Sequence, residues 1–270
     1  ILFIMADQLR WDYLSCNGHP KIKTTNIDKL AKRGINFQNS FVQSPICGPS
    51  RACFYTGRTV FSNGVAWNRV PLPIGELTLN EYLKPKGIRT AVVGKTHMEP
   101  DTEGMDRLGL NKETDIGMII SEPGFEPFEK DDGLHPNPSY LERKQILNYN
   151  KWLKKLGYDG SNPWNDYANS AMGENGELLS GWNLRNSNLP ARIKEEHSET
   201  AYMTMRAKEF IKETGSNPWC LHLSFIKPHW PYIAPDPYHR IYGNDDFLPI
   251  VRDQKEKEKP NPVYKMFMEE

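Results

Sequence analysis

The sequence has no Cys-x-x-Cys pair, no long apolar run and no surplus of either charge, and each absence closes off a class of function. Four cysteines (Cys16, Cys47, Cys53, Cys220) are scattered through 270 residues, a spacing that suits neither a zinc ribbon nor a disulfide scaffold. The 34 Lys and Arg residues cancel the 34 Asp and Glu residues, so no net positive field holds a polyanion by counterion release, and no nucleic acid partner is expected. The most apolar stretches, residues 1–6 and 221–226, fall far short of the roughly 20 residues that cross a bilayer, and no membrane partner is expected. The chain is long enough to bury a sizeable core, as one large domain or two modest ones.

Residues 1–6 are wholly apolar and stop at Asp7, which predicts a central parallel strand covered on both faces, with Asp7 at its carboxyl end. Asn26 is expected to cap a helix carrying Ile27, Leu30 and Ala31, with Gly34 as its left-handed stop. The alternation of Ile35, Phe37 and Phe41 predicts a strand. Residues 78–84 predict a short helix, and 88–93 another apolar strand running into Gly94 and Lys95. From 104 to 190, Gly, Pro, Asn and Trp punctuate the chain and periodicity is weak, so an irregular, aromatic-rich insertion is expected. Residues 192–213 predict a long amphipathic helix with Gly215 beyond its end, and 219–225 a strand left through the proline-rich loop of Pro228, Pro231, Pro235 and Pro237. The fold class is α/β, with a central, mostly parallel sheet flanked by helices.

In an open α/β sheet, ligands bind beyond the carboxyl ends of the strands. Three predicted strand ends carry polar groups there: Asp7 with Gln8, Lys95 with His97, and Lys227 with His229. A carboxylate, ammonium groups and imidazoles converging on one crevice suit a metal-assisted reaction on an anion. The most specific signal is Cys47-Gly48-Pro49-Ser50-Arg51, which precedes a short helical run ending at Gly57. A cysteine at a helix N-terminus near an arginine has a lowered pKa and can act as a thiolate nucleophile. Taken singly, these residues have ordinary readings: Asp7 as a turn former, Cys47 as a small buried hydrophobe, Arg51 as cover for a helix face, Lys95 and His97 as a solvated loop, and His229 as a turn residue among its prolines. His222 between Leu221 and Leu223 reads as a hydrogen-bonded core or sheet-face histidine, and the other three cysteines as structural thiols.

The pentapeptide matches the CxPSR signature of the sulfatases. The surrounding chain resembles that family in its TTNIDKLAKRGINFQNSF segment, its GRTV stretch, its GKTH motif and its PHWPY loop, in that order from residue 1 to about 238. The resemblance implies an alkaline-phosphatase-like sandwich, with residues 1–103 as the amino-terminal part of the catalytic domain, 104–190 as the insertion, 191–240 as its continuation and 241–270 as a charged segment. It implies that a maturation enzyme converts Cys47 to formylglycine. The aldehyde hydrate, with a divalent cation and Arg51 favouring ionisation of one hydroxyl, attacks sulfur or phosphorus, and the second hydroxyl then expels sulfate by elimination. Lys95 and His229 resemble the family's sulfate-binding and leaving-group contacts, with His97 beside them. Asp7, Gln8 and the modified Cys47 are the implied metal ligands, and a small-molecule or saccharide sulfate ester is the implied substrate.

Two departures stand out. The adjacent acids that commonly open the metal site are here Asp7-Gln8, which looks like the branch of choline sulfatases and phosphonate monoester hydrolases. One charge is lost, leaving calcium as the first choice and manganese or magnesium as alternatives. The later Asp-His or Asp-Asn strand end and further Lys of the family do not follow Phe247, so the carboxyl-terminal part of a longer enzyme is expected to be missing. The readings are therefore a sulfuric ester hydrolase, a phosphonate monoester or phosphodiester hydrolase with the same nucleophile, and a metal-deficient pseudoenzyme or binding domain. Compartment, periplasmic, secreted or cytoplasmic, and oligomeric state are unassigned.

Overall fold

A computed structural model describes residues 1–133, 147–249 and 253–269. In chain order the elements are β1 (Leu2–Ala6), α1 (Thr25–Arg33), α2 (Cys47–Thr56), α3 (Val60–Asn63), α4 (Leu79–Leu83), β2 (Arg89–Gly94), α5 (Thr102–Arg107), α6 (Asp115–Ser121) and β3 (Glu126–Lys130). They continue with α7 (Asn148–Lys155), β4 (Ser170–Met172), β5 (Leu178–Ser180), α8 (Glu199–Thr214), β6 (Trp219–Phe225), α9 (Gln254–Glu258) and α10 (Pro262–Glu269). They fall into two compact units, one of residues 1–10 and 37–241, the other of residues 11–36 and 242–270.

The first unit is built on a parallel sheet in the order β1-β6-β2-β3. The register pairs Ala6 with Phe225 and Gly94 with both Ser224 and Lys130, so the strands end level with one another. Strand pleating then divides the core. Ala91, Val93, Leu221 and Leu223 pack with Tyr202, Met203, Ala207 and Phe210 of α8, whereas Val92 packs on the opposite face with Ala52 and Tyr55 of α2 and with Phe125. β6 lies inside the sheet and is buried on both faces from Cys220 to Ser224, as its near-continuous apolar character requires. β2, α2, α4 and β6 form where the sequence predicts them. Thr78 caps α4 in a capping box with Glu81. α8 begins later than residue 192 because the Ser198 side chain accepts the Ala201 N–H and sets the start.

Four expectations are corrected. β1 is an edge strand rather than a central one: among the described residues it pairs only with β6, and Ile4 is 58% exposed. Residues 35–41 form no strand, since no described neighbour offers a ladder, and Phe37 and Phe41 are exposed. α1 starts one residue ahead of Asn26, at Thr25, and Gly34 closes it with extended backbone (φ −126°) rather than a left-handed turn. Segment 104–190 is not a mere irregular insertion, because β3 inside it is a strand of the main sheet and the described part also holds the end of α5, all of α6 and α7 and the antiparallel β4-β5 pair. Weak periodicity concealed β3 because its EPFEK sequence reads as neither alternating nor apolar. Residues 134–146 of the segment lie outside the described residues.

In the second unit Thr24 and Ser15 both donate to the Asp28 carboxylate inside α1. Asp253 caps α9 by accepting the Lys255 N–H at 2.8 Å. Among the described residues, no helix is long and apolar enough to cross a membrane.

Candidate active site

Because the strand ends are level, the residues that follow them meet. Asp7 leaves β1 with its N–H bonded to Phe225 O, and Lys95 leaves β2 with its N–H bonded to Ser224 O. Cys47 is the first residue of α2, which lies on the sheet through Ala52 and Tyr55. Gly48 follows it with Asn68 close by: a Cβ there would come within 2.9 Å of Asn68 Oδ1, which accepts the Gly48 N–H at 2.8 Å. Arg51, one turn on, is 3% exposed. Its Nη1 donates to Lys95 O at 2.6 Å and Ser224 Oγ at 2.9 Å, tying α2 to the ends of β2 and β6.

Around Asp7 the charges alternate. Lys95 Nζ pairs with Asp7 Oδ2 and stands 3.9 Å from Cys47 Sγ. Arg51 Nη2 is 3.6 Å from the same carboxylate oxygen, and the Cys47 thiol faces Asp7 Oδ1 at 3.7 Å. Donor atoms of Asp7, Cys47 and His229 lie within 4.8 Å of one another. Burial by itself pushes the Asp7 carboxyl up, but Lys95 and Arg51 outweigh it and hold the pKa below the usual range. The nearby His97 ring, with help from Lys95, draws the Cys47 thiol below its ordinary value despite its partial burial. Burial lowers the His229 pKa, and its Nδ1 is hydrogen-bonded to Trp230 O at 2.6 Å, so in the neutral ring Nδ1 carries the proton.

The structure therefore brings together Asp7, Cys47, Arg51, Lys95, His97 and His229. Gln8 is adjacent, but its backbone is left-handed (φ 61°) and its Oε1 accepts the Trp230 N–H at 3.4 Å. Lys227 is turned away: its Nζ donates to Asn169 Oδ1 and Pro231 O. His222 is a core histidine as expected, yet neither ring nitrogen has a hydrogen-bond partner among the described residues. Three residues escaped sequence reasoning: Asn68, Ser224, and Asp132, whose Oδ1 accepts the N–H groups of Thr96 and His97. Ser224 was detectable as the polar end of an apolar strand, whereas Asn68 and Asp132 had no local signal.

As a cation site, the cluster offers hard oxygen from Asp7, and Gln8 has an amide oxygen beside it. Calcium takes about six to eight oxygens, so these residues fit one side of such a site and would supply only part of its ligands. Lys95 and Arg51 already balance Asp7 in its present state.

The family model of the sulfatases matches residues 1–248, and the chain belongs to the sulfatase family. It is similar to the multifunctional alkaline phosphatase superfamily protein PehA of Trinickia caryophylli, at 27% identity over 93% of this chain and 46% of that protein. It is also similar to an ulvan-active sulfatase of Formosa agariphila, at 38% identity over 92% of this chain and 39% of that one. Among solved structures, the phosphonate monoester hydrolase of Agrobacterium radiobacter aligns with a TM-score of 0.72 and 26% identity over 94% of this chain and 45% of that one. The phosphonate monoester hydrolase of Silicibacter pomeroyi shares the fold, with a TM-score of 0.75 and 22% identity over 98% of this chain and 49% of that one. The sheet with its flanking helices is thus the alkaline-phosphatase-like fold, and the chain spans about half the length of the curated relatives it matches.

Proposed function

We propose that this chain carries the nucleophile half of a sulfuric ester hydrolase in which Cys47 is matured to formylglycine. The observation that supports this most is the convergence of Lys95, Arg51, His97 and His229 on the first residue of α2. Lys95 and Arg51 place positive charge beside the attacking position, where negative charge spreads over the transferring group in the transition state. His97, which lies close enough to position 47 to lower the pKa of its side chain, is placed to orient that side chain and to serve as its base. His229, with Nδ1 engaged by Trp230 O, has Nε2 left, and in its protonated form it would supply a proton from there to the leaving alcohol. A hydrated aldehyde at position 47 supplies an oxygen nucleophile that can release the product ester by elimination. Asp7 and Gln8, with the modified residue at position 47, would hold a divalent cation, calcium in preference to manganese or magnesium, which would add positive charge to the same place.

The substrate class that fits is a sulfate monoester, with saccharide sulfates suggested by likeness to an N-acetylglucosamine-6-O-sulfatase of Bacteroides thetaiotaomicron, 35% identical over 50% of this chain. A second reading, a phosphonate monoester or phosphodiester hydrolase, is favoured by Gln8 in place of a second acid and by the likeness to the Agrobacterium enzyme. Peptide mass spectrometry of Cys47 in protein co-expressed with a formylglycine-generating enzyme should show aldehyde, and Cys47→Ala should abolish turnover. An unmodified thiol with undiminished turnover would sink the proposal. The ratio of kcat/KM on aryl sulfate and aryl phosphonate esters decides between the two readings.

A further inference from the structure

We infer that Asp132 is a positioning residue that acts through His97, pinning the backbone from which that imidazole reaches the nucleophile. The inference deepens the hydrolase reading and rests on it.

Its origin is the sheet. β3 runs parallel to β2, with Lys130 paired to Gly94 and the Asp131 N–H bonded to Gly94 O. The segments leaving the two strands therefore run side by side, and Asp132 faces residues 95–97. Its Oδ1 accepts two consecutive backbone N–H groups, those of Thr96 and His97, at 3.0 Å each. Its Oδ2 is fixed by Lys130 Nζ at 2.9 Å. Lys130 is fixed in turn by Glu122 Oε2 at 2.6 Å, and Thr96 Oγ1 closes the ring onto the same Glu122 oxygen. The carboxylate is thus clamped on both oxygens.

What it clamps is a costly conformation. His97 has φ 53°, a left-handed backbone that a side chain with a Cβ seldom adopts unless the surroundings impose it. His97 Nδ1 is buried and has no hydrogen-bond partner among the described residues. Among the described residues no side-chain acceptor meets Nδ1, the nitrogen left to orient the ring from behind. The direction of the imidazole toward position 47 is inherited from the backbone, and Asp132 holds that backbone.

The test combines Asp132→Ala, Asp132→Asn and His97→Ala with the double variant Asp132→Ala/His97→Ala. Two readouts are taken: kcat and KM of the matured protein on an aryl sulfate, and the rate at which iodoacetamide alkylates Cys47 in unmatured protein, followed by peptide mass spectrometry. Asp132→Ala should lower kcat by about 10-fold to 100-fold with KM little changed, as expected of a displaced catalytic group. It should also slow Cys47 alkylation toward the His97→Ala rate. Asp132→Asn keeps an oxygen that can accept both N–H groups and should recover most of both losses. In the His97→Ala background, Asp132→Ala should change neither readout further. Equal losses in the presence and absence of His97, or an Asn variant as impaired as Ala, would overturn the inference in favour of a structural ion pair with Lys130. If the matured wild type hydrolyses no ester, the hydrolase reading fails, and the alkylation cycle still decides the role of Asp132.

Discussion

Replacing His222 by phenylalanine should make this protein more resistant to acid. His222 sits on β6 with 0% exposure, and its ring centroid lies 5.5 Å from Phe54, 5.6 Å from Tyr55 and 5.7 Å from Phe125. Neither nitrogen is hydrogen-bonded among the described residues. Burial, reinforced by the Arg51 and Lys130 charges, pushes the pKa down from 6.5 to about 3. The folded state thus refuses a proton that the unfolded chain accepts below pH 6.5. Stability from this residue is complete above that pH and is lost as the pH falls toward 3. The difference between 6.5 and about 3, at about 1.4 kcal/mol per unit, sums to about 5 kcal/mol. That is a large share of the roughly 5–15 kcal/mol by which a domain is stable. Urea unfolding of wild type and His222→Phe from pH 7.5 down to 4 checks this. At neutral pH the variant should be equal or about 1 kcal/mol more stable, since two unpaired polar atoms are removed and the aromatic shape is kept. Below pH 6.5 its advantage should widen by about 1.4 kcal/mol per pH unit. Carboxylates titrate alike in both proteins and cancel. A difference that stays flat with pH would refute the reasoning.

Gly94→Ala should prevent soluble expression or lower the melting temperature steeply, because φ is 102° and the added Cβ would lie 2.0 Å from Ser224 O, a backbone atom that cannot yield. Thr78→Ala should cost about 1–2 kcal/mol in urea unfolding, since it removes the α4 cap and the bond to Pro123 O. Lys95→Met should leave the melting temperature nearly unchanged and lower kcat on an aryl sulfate by about 10²-fold to 10³-fold. It removes the cation beside Cys47 and leaves Asp7 with Arg51 at 3.6 Å as its partner. Activity within a few-fold of wild type would remove Lys95 from the machinery.

The site was readable wherever a residue's role depends on its own place in the chain. Asp7 and Lys95 follow apolar runs, and polar residues at such positions stand at strand ends. Cys47 to Arg51 combine a helix start with residue types suited to one chemistry. His97 and His229 were legible because they lie three and four residues beyond a strand end. Asp132 was invisible because its partners, the N–H groups of Thr96 and His97, are 36 and 35 residues away, and nothing near Asp132 sets it apart from a solvated acid. Asn68 escaped for the same reason.

The fold divides along the same line. Local pattern alone determined β2, β6, α2 and α4, since a buried strand is apolar along its length, Thr78 caps α4 and the left-handed Gly57 stops α2. Tertiary structure alone decided that β1 lies at the edge, that residues 35–41 find no ladder, that EPFEK joins the sheet, and that His222 goes without hydrogen bonds. Each of these depends on which surface meets which at long separation along the chain. Strand pairing and burial are settled by the neighbour that arrives, and the neighbour's identity is not written in the segment it covers.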